Sequence, residues 1–281
     1  MAKLTFVIKC PDQLGIIAGV THFIKENGGN IVYIDQYVDR ENLLFFMRLE
    51  ASFEELSASF YKQFEESISN KFEMNCEIFE TNRRPRMAVF VSKYDHCLYD
   101  LLSQYKSGEL CVDIPFVLSN HADLKEATER FGIPFYHVPF TKDIREKAEA
   151  EQLALLKKHQ VDFIVLARYM QIVSSTLIDV YPNKIINIHH SFLPAFPGAK
   201  PYHSAYERGV KLIGATSHYV TEDLDAGPII AQDVTQVSHL HSVKDLISSG
   251  KELEKVVLSR AVKKHVARKV LSYANRTVVF H

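Results

Sequence analysis

The sequence predicts an α/β protein in two parts: an N-terminal ferredoxin-like βαββαβ segment and a C-terminal, mainly parallel, doubly wound α/β segment. Three observations carry this. Over the first eighty or so residues the apolar spacing changes repeatedly between period 2 and period 3.6. From Met87 onward, short Val-, Ile- and Leu-rich strands alternate regularly with helical patterns, as in a parallel sheet covered on both faces. Between the two lies Asn82-Arg-Arg-Pro-Arg86, polar, basic and interrupted by proline. Residues 1–82 and 87–281 are therefore expected to be separate domains joined by a linker at 83–86.

In the first part, Leu4 to Cys10 reads as a strand, and Pro11-Asp-Gln-Leu-Gly15 as a turn with Asp12 placed to cap the next helix. Ile16, Val20, Phe23 and Ile24 give that helix its apolar face, and Asn27-Gly-Gly-Asn30 ends it. Ile31 to Val38 and Leu43 to Leu49 are strands around a hairpin signal at Asp39-Arg-Glu-Asn42. Phe53 to Ile68 is expected as a second helix and Met74 to Phe79 as the last strand.

In the second part, strands are expected at Met87–Val91, Cys111–Leu118, Phe135–Val138, Phe163–Ala167 and Lys184–Ile188. Helices are expected near Asp95–Tyr105, Asp123–Phe131, Asp143–His159 and Ile172–Tyr181. A long helix from Ser242 to about Tyr273 closes the chain, with apolar positions at Leu246, Leu253, Val257, Ala261 and Val262. Its basic stretch, Arg260 to Lys269, reads as the solvated face of a docked helix.

The composition is that of an ordinary globular protein, 47% hydrophobic and 24% charged over 281 residues. A net charge of −1 offers nothing to attract nucleic acid or an anionic membrane. No apolar run is long enough to span a bilayer, and the N-terminus lacks the apolar core of a signal peptide. Cys10, Cys76, Cys97 and Cys111 show no CxxC spacing, which points to reduced structural thiols and a cytoplasmic location.

The chemistry concentrates in Ile186-Asn-Ile-His-His-Ser-Phe-Leu-Pro194. Asn187 and His189 are two apart at the end of an apolar strand, so their side chains point to the same face. In a parallel sheet, ligands bind beyond the carboxyl ends of the strands. Farther along, His218-Tyr-Val-Thr-Glu-Asp-Leu-Asp225-Ala-Gly-Pro228 again ends an apolar strand and brings a carboxylate. An amide donor, an imidazole and a carboxylate suit attack on a carbonyl, as oxyanion donor, acid and proton acceptor. His190, His203, His239 and His241 read as satisfied polar groups, and no pair of residues has the spacing of a zinc site. There is no GxSxG elbow, and no cysteine has an obvious base beside it. The turn after the second part's first strand, Ser92-Lys-Tyr-Asp-His96, has no glycine-rich phosphate loop.

Asn187-x-His189, Leu193-Pro194, Gly198-Ala-Lys-Pro201, His218 and Leu224-Asp225-x-Gly227-Pro228, in that order, resemble the formyltetrahydrofolate-using hydrolase and transferase family. Asp12 and Gly15-Ile16-Ile17 after the first strand resemble the Asp-x-x-Gly turn of ACT domains, which bind amino acids. An ACT-like segment followed by a formyltransferase-like domain is similar to the deformylase branch of the family. That branch hydrolyses 10-formyltetrahydrofolate to formate and tetrahydrofolate with no tightly bound cofactor and no metal.

The resemblance implies Asn187, His189 and Asp225 as catalytic residues. It implies folate contacts from Arg168, Tyr169, Met170, Gln171, Ile172, Val173, Lys200, His218, Val220 and Thr221. It also implies an amino-acid effector, glycine or methionine, at Asp12, Gly15 and Ile16, within a homodimer or homotetramer. A second reading of the first domain stands beside this one, a ferredoxin-like spacer that makes only subunit contacts. A transferase using the same three residues and passing the formyl group to an amine is the alternative for the second. Two features favour the hydrolase: the absent glycine-rich turn and the deformylase-like Gly198-Ala-Lys200-Pro-Tyr202. Pro197 departs from the Ile expected there; it restrains the loop and adds no reacting group.

Overall fold

The computed structural model describes residues 1–194 and 201–281. The chain forms two compact units. One comprises Met1–Arg83 with Arg268–Leu271 and Val278–His281; the other comprises Arg84–Ala267 with Ser272–Thr277.

The first unit has β1 (Ala2–Pro11), α1 (Ile16–Glu26), β2 (Gly29–Asp39), β3 (Leu44–Phe53), α2 (Phe60–Phe64, continued by a π-helical turn at Glu65–Ser69) and β4 (Asn75–Glu80). The strands form an antiparallel sheet in the order β2-β3-β1-β4, the ferredoxin-like arrangement. Phe6, Phe23, Phe53, Phe60 and Phe64 meet between sheet and helices in edge and tilted ring contacts. Each buried phenylalanine contributes about 1.5–3 kcal/mol through burial.

Two expectations fail in this unit. Asp12 does not cap α1, whose N-cap is Gly15 in the left-handed region (φ 88°) with no side-chain cap. The Asp12 backbone is committed to the sheet instead, its N–H donating to the Leu43 carbonyl at 2.8 Å. Phe53 does not start a helix but ends β3, paired with Ala2 on one side and Gly29 on the other. Sheet pairing thus takes Phe53 from the helical pattern, and α2 begins only at Phe60.

The second unit runs β5 (Met87–Val91), α3 (His96–Ser107), β6 (Val117–Ser119), α4 (Lys125–Arg130), β7 (Phe135–His137), α5 (Arg145–Lys158), β8 (Phe163–Leu166), α6 (Ser175–Val180) and β9 (Ile185–His189). It ends with α7 (Pro201–Arg208), β10 (Leu212–Tyr219), β11 (Ile229–Gln236) and α8 (Val243–Val266), ahead of a ribbon of β12 (Val270–Tyr273) and β13 (Arg276–Val279). The seven-stranded sheet has the order β11-β10-β9-β8-β5-β6-β7, parallel from β9 to β7, with β10 and β11 antiparallel. From β5 the chain winds outward through β6 and β7, then returns to β8 on the other side of β5. That reversal is the topological switch point, where such sheets open a crevice at their carboxyl ends. Met87 to Val91 are all buried on β5, as a strand covered on both faces requires.

Two expectations are corrected here. Only Val117 and Leu118 of the predicted Cys111–Leu118 strand pair with β5, and the pairing extends one residue past it to Ser119; the stretch before it is irregular apart from an Arg86–Asp113 bridge. The closing helix stops at Val266 rather than near Tyr273, because Arg268 takes a left-handed φ of 54°. After it, Ala274 and Asn275, both at positive φ, turn a hairpin between β12 and β13.

Candidate active site

Asn187 and His189 lie on β9, and β10 runs antiparallel beside it with His218 directly opposite Asn187. Residues so paired are side-chain neighbours. Asn187 Nδ2 lies 3.2 Å from His218 Nε2, and His218 Nδ1 donates to the Tyr219 carbonyl at 2.9 Å. The Asn187 amide nitrogen can only donate, so one of its N–H groups is directed at His218 Nε2. The second Asn187 N–H remains for the cleft. The β10–β11 register shifts between Ser217 and His218, a bulge of the kind that re-aims side chains beside functional sites.

Asp225 comes from the loop between β10 and β11 and takes φ 55°, an uncommon conformation for a non-glycine residue. The loop is pinned at its base by the Tyr219 N–H donating to the Pro228 carbonyl at 2.9 Å. Gly227 permits this closure, since a Cβ there would meet the Tyr219 carbonyl oxygen at 1.8 Å. Asp225 Oδ2 is 3.1 Å from His189 Nδ1, and Oδ1 is 3.6 Å from His218 Nε2. Burial acts to raise the Asp225 carboxyl, but the pairing with His189 and the nearness of His218 outweigh it and hold the group well below the usual carboxylate range. His189 is buried, and its Nε2 has no partner among the described residues. A buried polar atom without a partner is costly unless a ligand satisfies it.

These groups line one cleft of about 340 Å³ at the carboxyl ends of β8 and β9. Every predicted folate contact within the described residues borders it: Arg168, Tyr169, Met170, Gln171, Ile172, Val173, His218, Val220 and Thr221. Lys200 and Pro197 lie outside the described residues. Met170 and Ile172 expose apolar surface at the cleft, whereas Tyr169 packs edge-on against Phe90 and accepts a hydrogen bond from Gln152 at 3.1 Å. Asp12, Gly15 and Ile16 belong to the first unit; Asp12 is exposed, and the Ile16 side chain is buried in that unit's core.

Beneath the cleft lies a polar cluster that the sequence reading passed over. Arg168 takes φ 63° and turns its guanidinium onto His190 Nδ1, with Nε 3.4 Å from Glu254 Oε2 and the guanidinium carbon 4.8 Å from the centre of the Tyr94 ring. Glu254 also pairs with His96 Nε2 at 2.8 Å and accepts from the Tyr202 hydroxyl at 2.7 Å. Burial pushes Glu254 up, but His96, Arg168 and Tyr202 outweigh it and leave the carboxyl below its ordinary value. The same cluster brings ligand-type atoms of His96, Cys97 and Glu254 within 4.8 Å of one another. A cation placed there would face the Arg168 guanidinium and compete with three existing partners of Glu254, so the donor set does not fit a metal. One signal in the sequence pointed to this cluster. Glu254 continues the spacing Leu246, Gly250, Val257 and Ala261 along the buried stripe of α8, where a carboxylate needs partners.

Residues 85–262 match the formyl transferase family. Over 278 residues the chain is 49% identical to a formyltetrahydrofolate deformylase of a Synechocystis species, covering 98% of each. The chain belongs to the formyltetrahydrofolate deformylase family. The crystal structure of a deformylase from Pseudomonas syringae pv. tomato agrees with this, at a TM-score of 0.96 and 45% identity over 100% of this chain and 95% of that one. The structure of glycinamide ribonucleotide transformylase 1 from Symbiobacterium toebii is similar over 70% of this chain and 95% of its own, with a TM-score of 0.66 and 29% identity. The likeness to the deformylases thus extends through both units, as expected for a hydrolase of this family with an N-terminal ferredoxin-like domain.

Proposed function

We propose that the chain hydrolyses 10-formyltetrahydrofolate to formate and tetrahydrofolate. The observation that carries this reading is the buried His189 Nε2, which has no partner among the described residues, with Asn187 and Asp225 lining the same cleft. Water attacks the formyl carbon and gives its proton to Asp225. The doubly protonated His189 donates Nε2–H, and Asn187 donates its free amide N–H, to the oxygen as it becomes negative. One such donor is worth about 3 kcal/mol, a factor of roughly 10² or more in rate. The proton held by Asp225 then passes to N10 as the C–N bond breaks, leaving the secondary amine and formic acid, which gives its proton to solvent to become formate. The apolar rim of Met170 and Ile172 suits the faces of an aromatic folate.

The test is to mix purified protein with 10-formyltetrahydrofolate in buffer containing no amine acceptor. Stoichiometric formate release supports the hydrolase. Folate binding without release would favour the formyltransferase alternative. As for the first unit, we infer a regulatory domain spanning 1–82, with glycine or methionine as effector at Asp12, Gly15 and Ile16, in a cytoplasmic homodimer or homotetramer. Titration of both amino acids with a flat rate response would leave only the subunit-contact reading. Among the described residues no helix is long and apolar enough to cross a membrane.

A further inference from the structure

Two imidazoles stand side by side in the cleft, and only one is used by the reaction proposed above. The His190 ring lies against His189, centroids 5.1 Å apart and planes within 20°. A second positive charge at that distance would oppose the cationic form of His189 through Coulomb repulsion. The protein therefore needs a way to keep His190 uncharged while His189 carries the proton.

We propose that Arg168, clamped by Glu254, is a positioning residue that fixes His190 as a neutral ring and so confines the positive charge of the stacked pair to His189. The proposal rests on the hydrolase reading and extends it. Arg168 can only donate, so its hydrogen bond to His190 Nδ1 makes that atom an acceptor and leaves the single ring proton on Nε2. Protonating His190 would break this bond and set two cations against each other in a buried site. The Arg168 backbone bears the cost of a left-handed conformation (φ 63°), and such strain clusters where a side chain must be aimed. The guanidinium is also ion-paired with Glu254, Nε lying 3.4 Å from Oε2, and Glu254 is itself positioned by His96 from α3 and Tyr202 from α7. Tyr202 also tilts against the His190 ring, centroids 6.0 Å apart.

The groups acting on His190 from all sides are Arg168 and His189, which disfavour its charge, and Glu254 and Asp225, which favour it. Burial and Arg168 prevail, taking His190 down to about 4 from its ordinary value.

The test reads the ring directly and then through catalysis. In the full-length protein with ¹⁵N-labelled histidine, long-range ¹H–¹⁵N spectra report the tautomer of each ring, and His190 is assigned from the His190→Asn variant. In the wild type, His190 is expected as the neutral Nε2–H form from pH 5.5 to 8. In Arg168→Met it is expected to titrate above its wild-type value, with burial and His189 still holding it below the ordinary histidine value of about 6.5. The kcat of this variant should then gain an acid limb at the same pH, and Arg168→Met/His190→Asn should lose that limb. Arg168→Lys, which keeps the charge, should retain the wild-type shape of the profile.

A wild-type His190 that is protonated at Nδ1, or that titrates above pH 6, overturns the proposal even if Arg168→Met does not fold. So does an acid limb in Arg168→Lys. Absence of formate release from the wild type would instead strike the hydrolase reading, independently of the tautomer.

Discussion

His189 Nδ1 and Asp225 Oδ2 meet at 3.1 Å although thirty-five residues separate them in the chain, and His189 Nε2 is left buried with no partner among the described residues. The strand end fixes the imidazole and the loop delivers the carboxylate. Asp225 thus has two neighbours to answer to: the histidine it orients and the water it would deprotonate.

Replacing Asp225 by Asn keeps the shape and removes the proton acceptor. We expect kcat to fall by at least roughly 10²-fold, with folate affinity changed only a few-fold, because little contact area is lost. Single-turnover formate release and equilibrium folate binding separate the two quantities. Unchanged turnover would remove Asp225 from the chemistry.

The same carboxyl links stability to pH. Its folded-state value is depressed, so its contribution is fully present above the unfolded aspartate value of about 3.9 and is lost as pH falls through the folded value. Urea unfolding of wild type and Asp225→Asn should therefore differ by a constant amount from neutral pH down to about pH 5, begin to approach each other near about pH 4, and go on converging as pH falls toward the depressed folded value. A difference that grows on acidification would contradict the depressed value.

Gly227 ties loop geometry to activity. Gly227→Ala would drive a methyl into the Tyr219 carbonyl oxygen at 1.8 Å, so the base of the loop must open and carry Asp225 with it. We expect kcat to drop by about 10²-fold, as misplacement of a reacting group by an ångström can cost that much. The far-UV spectrum should remain native, since the loop lies outside the strands. Full activity in this variant would show that the loop need not close where it does.

Much of this site is legible in the sequence because period and position do the work. Asn187 and His189 share a face by the alternation of a strand, and the βα order sends that face to the carboxyl edge of the sheet. The Leu-Asp-Ala-Gly-Pro turn announces itself through Gly227 and Pro228. The polar cluster beneath is a different matter. Arg168, His96, Tyr202 and Glu254 come from four separate segments, and the fold alone reveals that they meet. His190, read as an ordinary satisfied group, is indeed hydrogen-bonded, but its stacking on His189 depends on ring orientation, which spacing does not encode. Likewise Phe53 carries a helical spacing, and the pairing partners that claim it for β3 are distant in sequence.

Gly250 tests that cluster without touching a charged group. A Cβ there would come within 2.1 Å of the Tyr202 hydroxyl oxygen and 2.2 Å of its ring carbon. Tyr202 must move, and its hydrogen bond to the Glu254 carboxylate goes with it. Gly250→Ala normally gains helix propensity, about 1 kcal/mol. Here overpacking costs about 1–3 kcal/mol, and a lost hydrogen bond to a charged group adds about 1.5–3 kcal/mol. The net expectation is destabilisation by urea unfolding, and a stabilised variant would show that Tyr202 can give way freely.

Asn187 separates transition-state stabilisation from binding. One of its amide N–H groups is directed at His218 and the other is the donor proposed for the oxyanion, so Asn187→Asp removes both at nearly constant volume. The new carboxylate would also face Asp225 and the developing negative charge. We expect kcat to fall by 10²-fold or more, about 3 kcal/mol of lost stabilisation for one donor, while the folate dissociation constant changes by less than about tenfold. Asn187→Ser, which keeps a short donor, should recover part of kcat. If both variants instead raise KM with kcat intact, Asn187 holds the ground-state substrate, and the oxyanion must find its donors in His189 and the cleft backbone.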